Sequence, residues 1–417
     1  MNYIKENNKE TSLLSFLLIM SVTLGAYNIN LGFSLKPYMI LCVLIFMIKI
    51  YKFHIHKLML FEVFMLLFYF YYCLTGIFAK YPLDSIRLIG AIIITLSAYF
   101  IMRYVFSCIT INKLERIIAK GGIWFNVISL LLYALGAYSL NFNFWGNGIR
   151  SYGILIDRGT PRLIGLFTDP NIFAFGNFIF FFYYLTHIKG KASKIGFLLA
   201  SISLVLTFSR GAFIAVLFGV FLLFLTTRLK TKVKMIILGT PMIYILISVA
   251  SWLFNLDVIN IVMNRFKEAT TDSGSGRFDI WANGLGLFAD SPFFGIGIYN
   301  YRSYSNNLFG IDHYMHNTFL EVLTESGLLG FILYLLLFAA IFYTFYKNLN
   351  KSIDTRYLIF TLISMMILMS SLSLIVNESF FLFLAIVWRY FLENNRSVRN
   401  PNHDQVFISK KSDLKKV

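Results

Sequence analysis

Three positions carry side chains suited to phosphate and proton chemistry. Arg210 lies in Thr207-Phe208-Ser209-Arg210-Gly211, between apolar runs at 194–209 and 211–227. Each run of about 16 residues spans about 24 Å as a helix, short of a hydrocarbon core about 30 Å thick. The tip joining them is therefore expected near the outer lipid boundary, where a guanidinium either snorkels, pairs or lines a polar cavity. Its planar fork of donors suits a phosphate or diphosphate, and Ser209 and Gly211 permit close approach. Arg277 follows Gly274-Ser275-Gly276, whose backbone freedom lets the arginine reach a ligand, and a helix is expected from Arg277 to Ala289. Surface pairing with Asp279 or Asp290 is the structural alternative. His316 stands in His313-Tyr314-Met315-His316-Asn317-Thr318, where Thr318 and Glu321 have capping-box spacing. A helix starting at Thr318 would hold His316 just ahead of it, either to accept a proton near neutral pH or to hydrogen-bond the helix end.

Two further groups surround these. The stretch Arg158-Gly-Thr-Pro-Arg162-Leu-Ile-Gly-Leu-Phe-Thr-Asp169-Pro170-Asn171 ends in a helix entry, with Asp169 or Asn171 as the cap. Glu62 is a lone acid in the middle of an apolar run, expected in an interhelical contact.

The elements that must position these residues are apolar helices. The chain has 417 residues, 58% hydrophobic and 14% charged, with a mean hydropathy of +0.70. Runs of about 20 apolar residues recur along it, one per bilayer crossing. This excludes a soluble globular enzyme, and runs apolar on every face, such as 58–78, exclude an outer-membrane barrel with its alternating segments. The fold class expected is all-α, a polytopic membrane protein with about 12 transmembrane helices. They are placed near 12–31, 37–51, 58–78, 86–108, 117–139, 167–187, 194–209, 211–227, 233–254, 318–346, 356–376 and 379–392. The resulting division is 1–139 N-terminal helices, 140–166 first outer loop, 167–254 central helices, 255–317 large outer loop, 318–392 C-terminal helices and 393–417 inner tail.

Charge sets the orientation. The net charge of +17 comes from 37 Lys and Arg against 20 Asp and Glu, and most of the basic residues fall in one set of short loops and the tail. By the positive-inside rule both termini are cytoplasmic, so the excess is an orientation signal and no nucleic-acid partner is expected. The outer basic residues are mainly arginine (Arg87, Arg150, Arg158, Arg162, Arg210, Arg265, Arg277 and Arg302) rather than lysine, which points to an anionic ligand outside. The first helix lacks a clear small-x-small cleavage site after it and is expected to be retained. Cys42, Cys73 and Cys108 fall within or at the ends of helices, with neither a disulfide framework nor a metal-type pair. Loop 255–317 is long and rich in aromatics, too much so for a disordered linker, and is expected to be ordered.

Taken in order, Ser209-Arg210-Gly211, Arg277 with Trp281, Pro292-x-x-Gly295-x-Gly297, His316-Asn317 and Glu325-x-Gly327-x-x-Gly330 resemble the O-antigen ligase and O-antigen polymerase superfamily of bacterial envelope glycosyltransferases. The motif-bearing part covers about residues 160 to 335; the N-terminal helices match only in number and hydrophobicity. The resemblance implies a GT-C-like helical bundle in the inner membrane, with the outer loops and active site in the periplasm. It implies an undecaprenyl-diphosphate-linked oligosaccharide as donor, Arg210 and Arg277 as ligands of its diphosphate, and His316 as the catalytic group engaging the acceptor hydroxyl. Arg162, Asp169, Asn171, Asn317 and Glu321 are expected to support the site. The lipid bilayer, and a chain-length regulator and flippase of the same pathway, are the partners implied. With no outer Asp-x-Asp pair, no metal and no cofactor are expected.

The segment Arg162-Leu163-x-Gly165-x-Phe167-x-Asp169-Pro170-Asn171 looks more like the polymerases, so transfer to another lipid-linked repeat is expected, with transfer to lipid A core as the alternative. A flippase or transporter is the reading from another class, disfavoured by the single large outer loop and the lack of evident halves. One geometric tension remains: if the apolar part of the tenth helix begins near Gly327, His316 stands about 15 Å above the lipid boundary by helix rise, while Arg210 lies at or below it.

Overall fold

A computed structural model describes residues 9–30, 34–188, 190–230, 257–271, 276–348 and 353–399, with isolated positions between 232 and 252. The helix expected at 233–254 lies for the most part outside the described residues, as do Gly274, Ser275 and the end of the tail. The described helices are α1 (Glu10–Thr23), α2 (Pro37–Lys49), α3 (Leu60–Leu74), α4 (Pro82–Ser107), α5 (Ile111–Ser139), α6 (Pro170–Thr186), α7 (Lys191–Leu206), α8 (Arg210–Thr226), α9 (Val258–Thr271), α10 (Arg277–Asp290), α11 (Tyr301–Phe309), α12 (Thr318–Asn348), α13 (Arg356–Met369) and α14 (Glu378–Arg399). Among the described residues, four helical stretches are long and apolar enough to cross a membrane: Leu60–Phe78, Pro82–Ser107, Ile111–Ser139 and Thr318–Asn348.

Helix α3 explains what surrounds the fold. It buries Phe61, Met65, Phe68, Tyr69 and Tyr72, one stripe at helical spacing. The opposite stripe, Val63, Leu67, Phe70 and Leu74, is equally apolar yet exposed. A helix apolar on its outward face suits lipid, because in water such a patch would drive association. Within this apolar packing Glu62 finds the interhelical contact expected of it. Its carboxylate accepts from the Arg103 guanidinium at 2.7 Å, from the Tyr99 hydroxyl at 2.7 Å and from the Met59 amide at 2.7 Å. The Arg103 guanidinium also stacks over Trp388, 4.4 Å from the ring centre. Removing one partner of so enclosed a pair leaves an uncompensated charge.

The structure is mostly helical but not all-α. Residues 149–163 form an antiparallel sheet of β3 (Ile149–Ser151), β4 (Ile154–Asp157) and β5 (Thr160–Leu163), and a two-stranded pair, β1 (Ile29–Asn30) and β2 (Ser34–Leu35), precedes α2. In β4, Ile154 and Ile156 are buried while Leu155 and Asp157 are half-exposed, the two-residue alternation of a strand with one packed face. The β4–β5 turn is Arg158-Gly159, both at positive φ (52° and 69°), a tight hairpin geometry that glycine favours. The sheet docks on the end of α5, where the Tyr133 hydroxyl donates to the Pro161 carbonyl at 2.9 Å. The remainder of the segment 255–317 that is described is also built, as α9, α10 and α11.

Candidate active site

Four helix starts define the site. At the first, Asp169 caps α6, its carboxylate accepting from the Asn171 and Ile172 amides at 2.7 and 3.1 Å. At the second, Ser209 caps α8 and accepts from the Ala212 amide at 3.2 Å, making Arg210 the first residue of the helix. The two are tied together: the Ser209 hydroxyl donates to Asn171 Oδ1 at 2.6 Å, and Arg162 Nη2 donates to the same oxygen at 3.2 Å. Arg162 further holds the Thr207 carbonyl at 3.0 Å and Asp157 at 3.0 Å. This bracket of sheet, α6 entry and α7–α8 tip fixes where Arg210 emerges. Gly211 is needed because a Cβ there would press on Leu368 at 2.8 Å and Ser371 at 2.9 Å. Asp169 and Arg162 therefore act as scaffold beneath the arginine.

The third start is α10. Gly276 adopts φ 72°, and Arg277, half-buried, opens the helix. Burial first, then the charge of Arg210, lowers the Arg277 guanidinium below its ordinary range, and Asp169 opposes both. Arg210 is thus near enough for its like charge to act on Arg277. An anion placed there relieves the repulsion, and the start of α8 adds amide donors and the positive end of a helix dipole.

His316 comes from the loop before α12, at φ 51°, an uncommon conformation for a residue with a side chain. Its amide donates to the Ser373 hydroxyl at 3.1 Å, and its ring lies 6.3 Å from that of His313. Burial, and after it the charges of Arg277 and His313, pushes the imidazole down to about 4, with Asp169 acting in the opposite sense. The ring is therefore neutral at pH 7 and within reach of the Arg277 charge. Arg210, Arg277, His316 and Asp169 are brought together from positions up to 147 residues apart.

The capping box expected at Thr318 and Glu321 is not formed. Asn317 is the cap, its Oδ1 accepting from the Phe319 and Leu320 amides at 3.1 and 3.2 Å. The Thr318 hydroxyl is occupied elsewhere, donating to the Leu372 carbonyl at 2.6 Å and accepting from the Leu374 amide at 3.0 Å. Glu321 is buried, one turn before the buried Glu325, and is hydrogen-bonded with Ser373, whose hydroxyl also receives the His316 amide. Ser373 is a positioning residue that the sequence did not announce.

Helix α12 is broken eleven residues after His316. Gly327 takes φ 64° and ψ −169°, outside the helical region, so the stretch bearing Glu321 and Glu325 turns away from the rest. Residues 291–297 fill the break: the Leu328 amide donates to the Pro292 carbonyl at 2.8 Å, Ile296 to Thr324 at 3.0 Å and Gly297 to Glu325 at 3.0 Å. A Cβ on Gly295 would overlap the Glu325 backbone, and one on Gly327 would overlap the Phe293 carbonyl. The Glu325 carboxylate receives the Tyr72 hydroxyl and the Tyr299 and Tyr301 amides, the last two at 2.9 and 3.0 Å, and so anchors the start of α11.

Residues 195–335 match the O-antigen ligase family. That segment is about a third of the chain, and over it the chain is similar to the O-antigen ligase and polymerase superfamily, whose members are glycosyltransferase-like enzymes. It contains Arg210, Arg277, His316 and both interlocking glycine motifs. Arg162, Asp169, Asn171 and Ser373 lie outside it. No curated protein matches the chain. Together with the long apolar helices, the family match supports a membrane protein.

Proposed function

We propose that the protein is a surface-polysaccharide polymerase of the inner membrane. It transfers an undecaprenyl-diphosphate-linked glycan onto a lipid-linked repeat unit on the periplasmic face, with both termini cytoplasmic. The observation that carries the reading is the repelling pair Arg210 and Arg277 beside a neutral His316. In this reading the two guanidinium groups hold the donor diphosphate, whose polyprenyl tail stays in the bilayer. The acceptor oxygen bonds to the anomeric carbon as the bond from that carbon to the phosphate oxygen breaks. The electron pair leaves with undecaprenyl diphosphate, and the hydroxyl proton passes to the imidazole. Neutralised diphosphate is a good leaving group, so the arginines take the place of a general acid and a divalent metal. The bound anion favours the imidazolium and raises the proton affinity of His316 when a base is required.

The description of the matching family as O-antigen ligase favours a second reading, transfer to lipid A core. The segment Arg162 to Asn171 favours the polymerase. A deletion strain complemented with wild type, Arg210→Ala or Arg277→Ala distinguishes them by its surface glycan. Single repeats on lipid A core are expected from the deletion and from both alanine variants at normal membrane level, and Arg→Lys should not restore full polymer because the planar fork is lost. Free lipid-linked polymer would indicate a ligase instead. Full activity of either alanine variant would remove that arginine from donor binding, and repeats held at the cytoplasmic face would indicate a flippase.

A further inference from the structure

A second polar site lies outside the arginine pair. It is a cleft of about 480 Å³ between the start of α4 and α11, lined by Asp84, Arg87, Arg302, Ser303, Asn306 and Asp312, with Tyr299 on its wall. Arg302 grips Asp312 through two bonds of 2.6 and 2.8 Å, Arg87 lies 3.8 Å from Asp84, and the Ser303 hydroxyl donates to Asp84 at 2.6 Å. These two arginines and two aspartates cancel, so the lining carries no net formal charge. In this the cleft is the opposite of the Arg210–Arg277 site, and it offers nothing specific to a diphosphate. Interleaved donors and acceptors on a neutral surface suit sugar hydroxyls, each of which both donates and accepts.

The cleft communicates with His316 through one loop. The Tyr299 and Tyr314 hydroxyls are 2.6 Å apart, and Arg302 Nη1 donates to Tyr314 at 3.2 Å. Met315 is buried against α10, its carbonyl accepting from Trp281 Nε1 at 3.0 Å. The next residue is His316, set beside Arg277. Two residues of chain span at most about 7 Å. The loop therefore presents Tyr314 to the cleft and His316 to the arginines.

We infer that this cleft seats the glycan of the acceptor, with His316 between it and the donor diphosphate; the inference rests on the function proposed above. The test uses the full chain in lipid nanodiscs and two probes, undecaprenyl diphosphate and the phosphate-free oligosaccharide released by mild acid from the host's lipid-linked repeats. Arg87→Ala and Asn306→Ala alter exposed side chains, and Ala91→Trp fills the cleft from α4. Each is expected to weaken oligosaccharide binding at least about tenfold, roughly the loss of one good hydrogen bond to a charged group, with undecaprenyl diphosphate binding unchanged. Arg210→Ala is expected to do the converse. Wild-type affinity for the oligosaccharide in all three cleft variants, or no binding by wild type, overturns the inference. Oligosaccharide binding lost in the cleft variants, with no undecaprenyl diphosphate binding by wild type, would refute the proposed function while leaving the cleft a sugar site.

Discussion

Burial and the nearby Arg277 charge hold His316 neutral at pH 7, and this has a measurable consequence. The acid limb of kcat/KM reports the free enzyme. It is expected near pH 4, well below the 6.5 of an ordinary histidine, whereas the limb of kcat, set with the diphosphate bound, should lie higher. His313→Ala removes a neighbouring charge and should shift the kcat/KM limb upward, with a mild effect on rate. His316→Ala should lose about 10²–10⁴-fold in turnover while still binding undecaprenyl diphosphate; wild-type turnover would exclude it as the base. The same depression means that the folded protein binds fewer protons than the unfolded chain between pH about 6.5 and 4. Stability from this group is thus present above pH 6.5 and is lost as pH falls through that window. Residue type with Gly211 and Gly276 alongside marks Arg210 and Arg277 as candidates in the sequence, and the helix start that follows marks His316. Ser373 carries no such mark: it stands 57 residues from His316 in chain, at the end of an apolar run, and only the fold gives it the His316 amide.

Among the elements, the break in α12 separates the stretch that follows His316 from the long apolar part of the helix. The sequence contained its glycines but not its geometry, since a glycine inside an apolar run is compatible with a continuous helix. The conformation at Gly327 is imposed by backbone arriving from residues 291–297. Gly327→Ala is expected to be destabilising by more than the about 1–3 kcal/mol typical of a residue held in a glycine-only region, because the Phe293 carbonyl occupies the space. Thermal unfolding in detergent should show a lowered midpoint, and an unchanged midpoint would mean that the break is not required. The β3–β5 sheet escaped the sequence reading for a related reason. Its strands have three or four residues, too short for alternation to stand out, although Arg158-Gly159 was a hairpin signal. The α10 start at Arg277 and the α8 start at Arg210 were readable, one from the Gly-Ser-Gly sequence ahead of it and the other from its tip between apolar runs.

At the scale of the molecule, hydrophobic run length gave the membrane class directly, because lipid-facing and core-facing stripes are both apolar and their sum is conspicuous. The orientation proposed above rests on basic loops rather than on packing. Reporters fused near Lys232 and in the C-terminal tail should report cytoplasm, and one near Asp272 should report periplasm; the inverse pattern would put Arg210, Arg277 and His316 on the wrong side for lipid-linked donors. The exact helix ends were less legible, as at α1, which stops at Thr23 rather than near 31, and at α5, which begins at Ile111 rather than 117. The contact of Gly295 with Gly327 also bears on how such enzymes can be recombined. Gly295 leaves room for the Glu325 and Gly327 backbone, and Gly327 for the Phe293 and Phe294 backbone, so neither segment can be imported from a relative without its counterpart. A chimera that exchanges sugar specificity has to treat residues 291–330 as a single cassette, and a crossover placed between the two motifs would join halves that no longer fit.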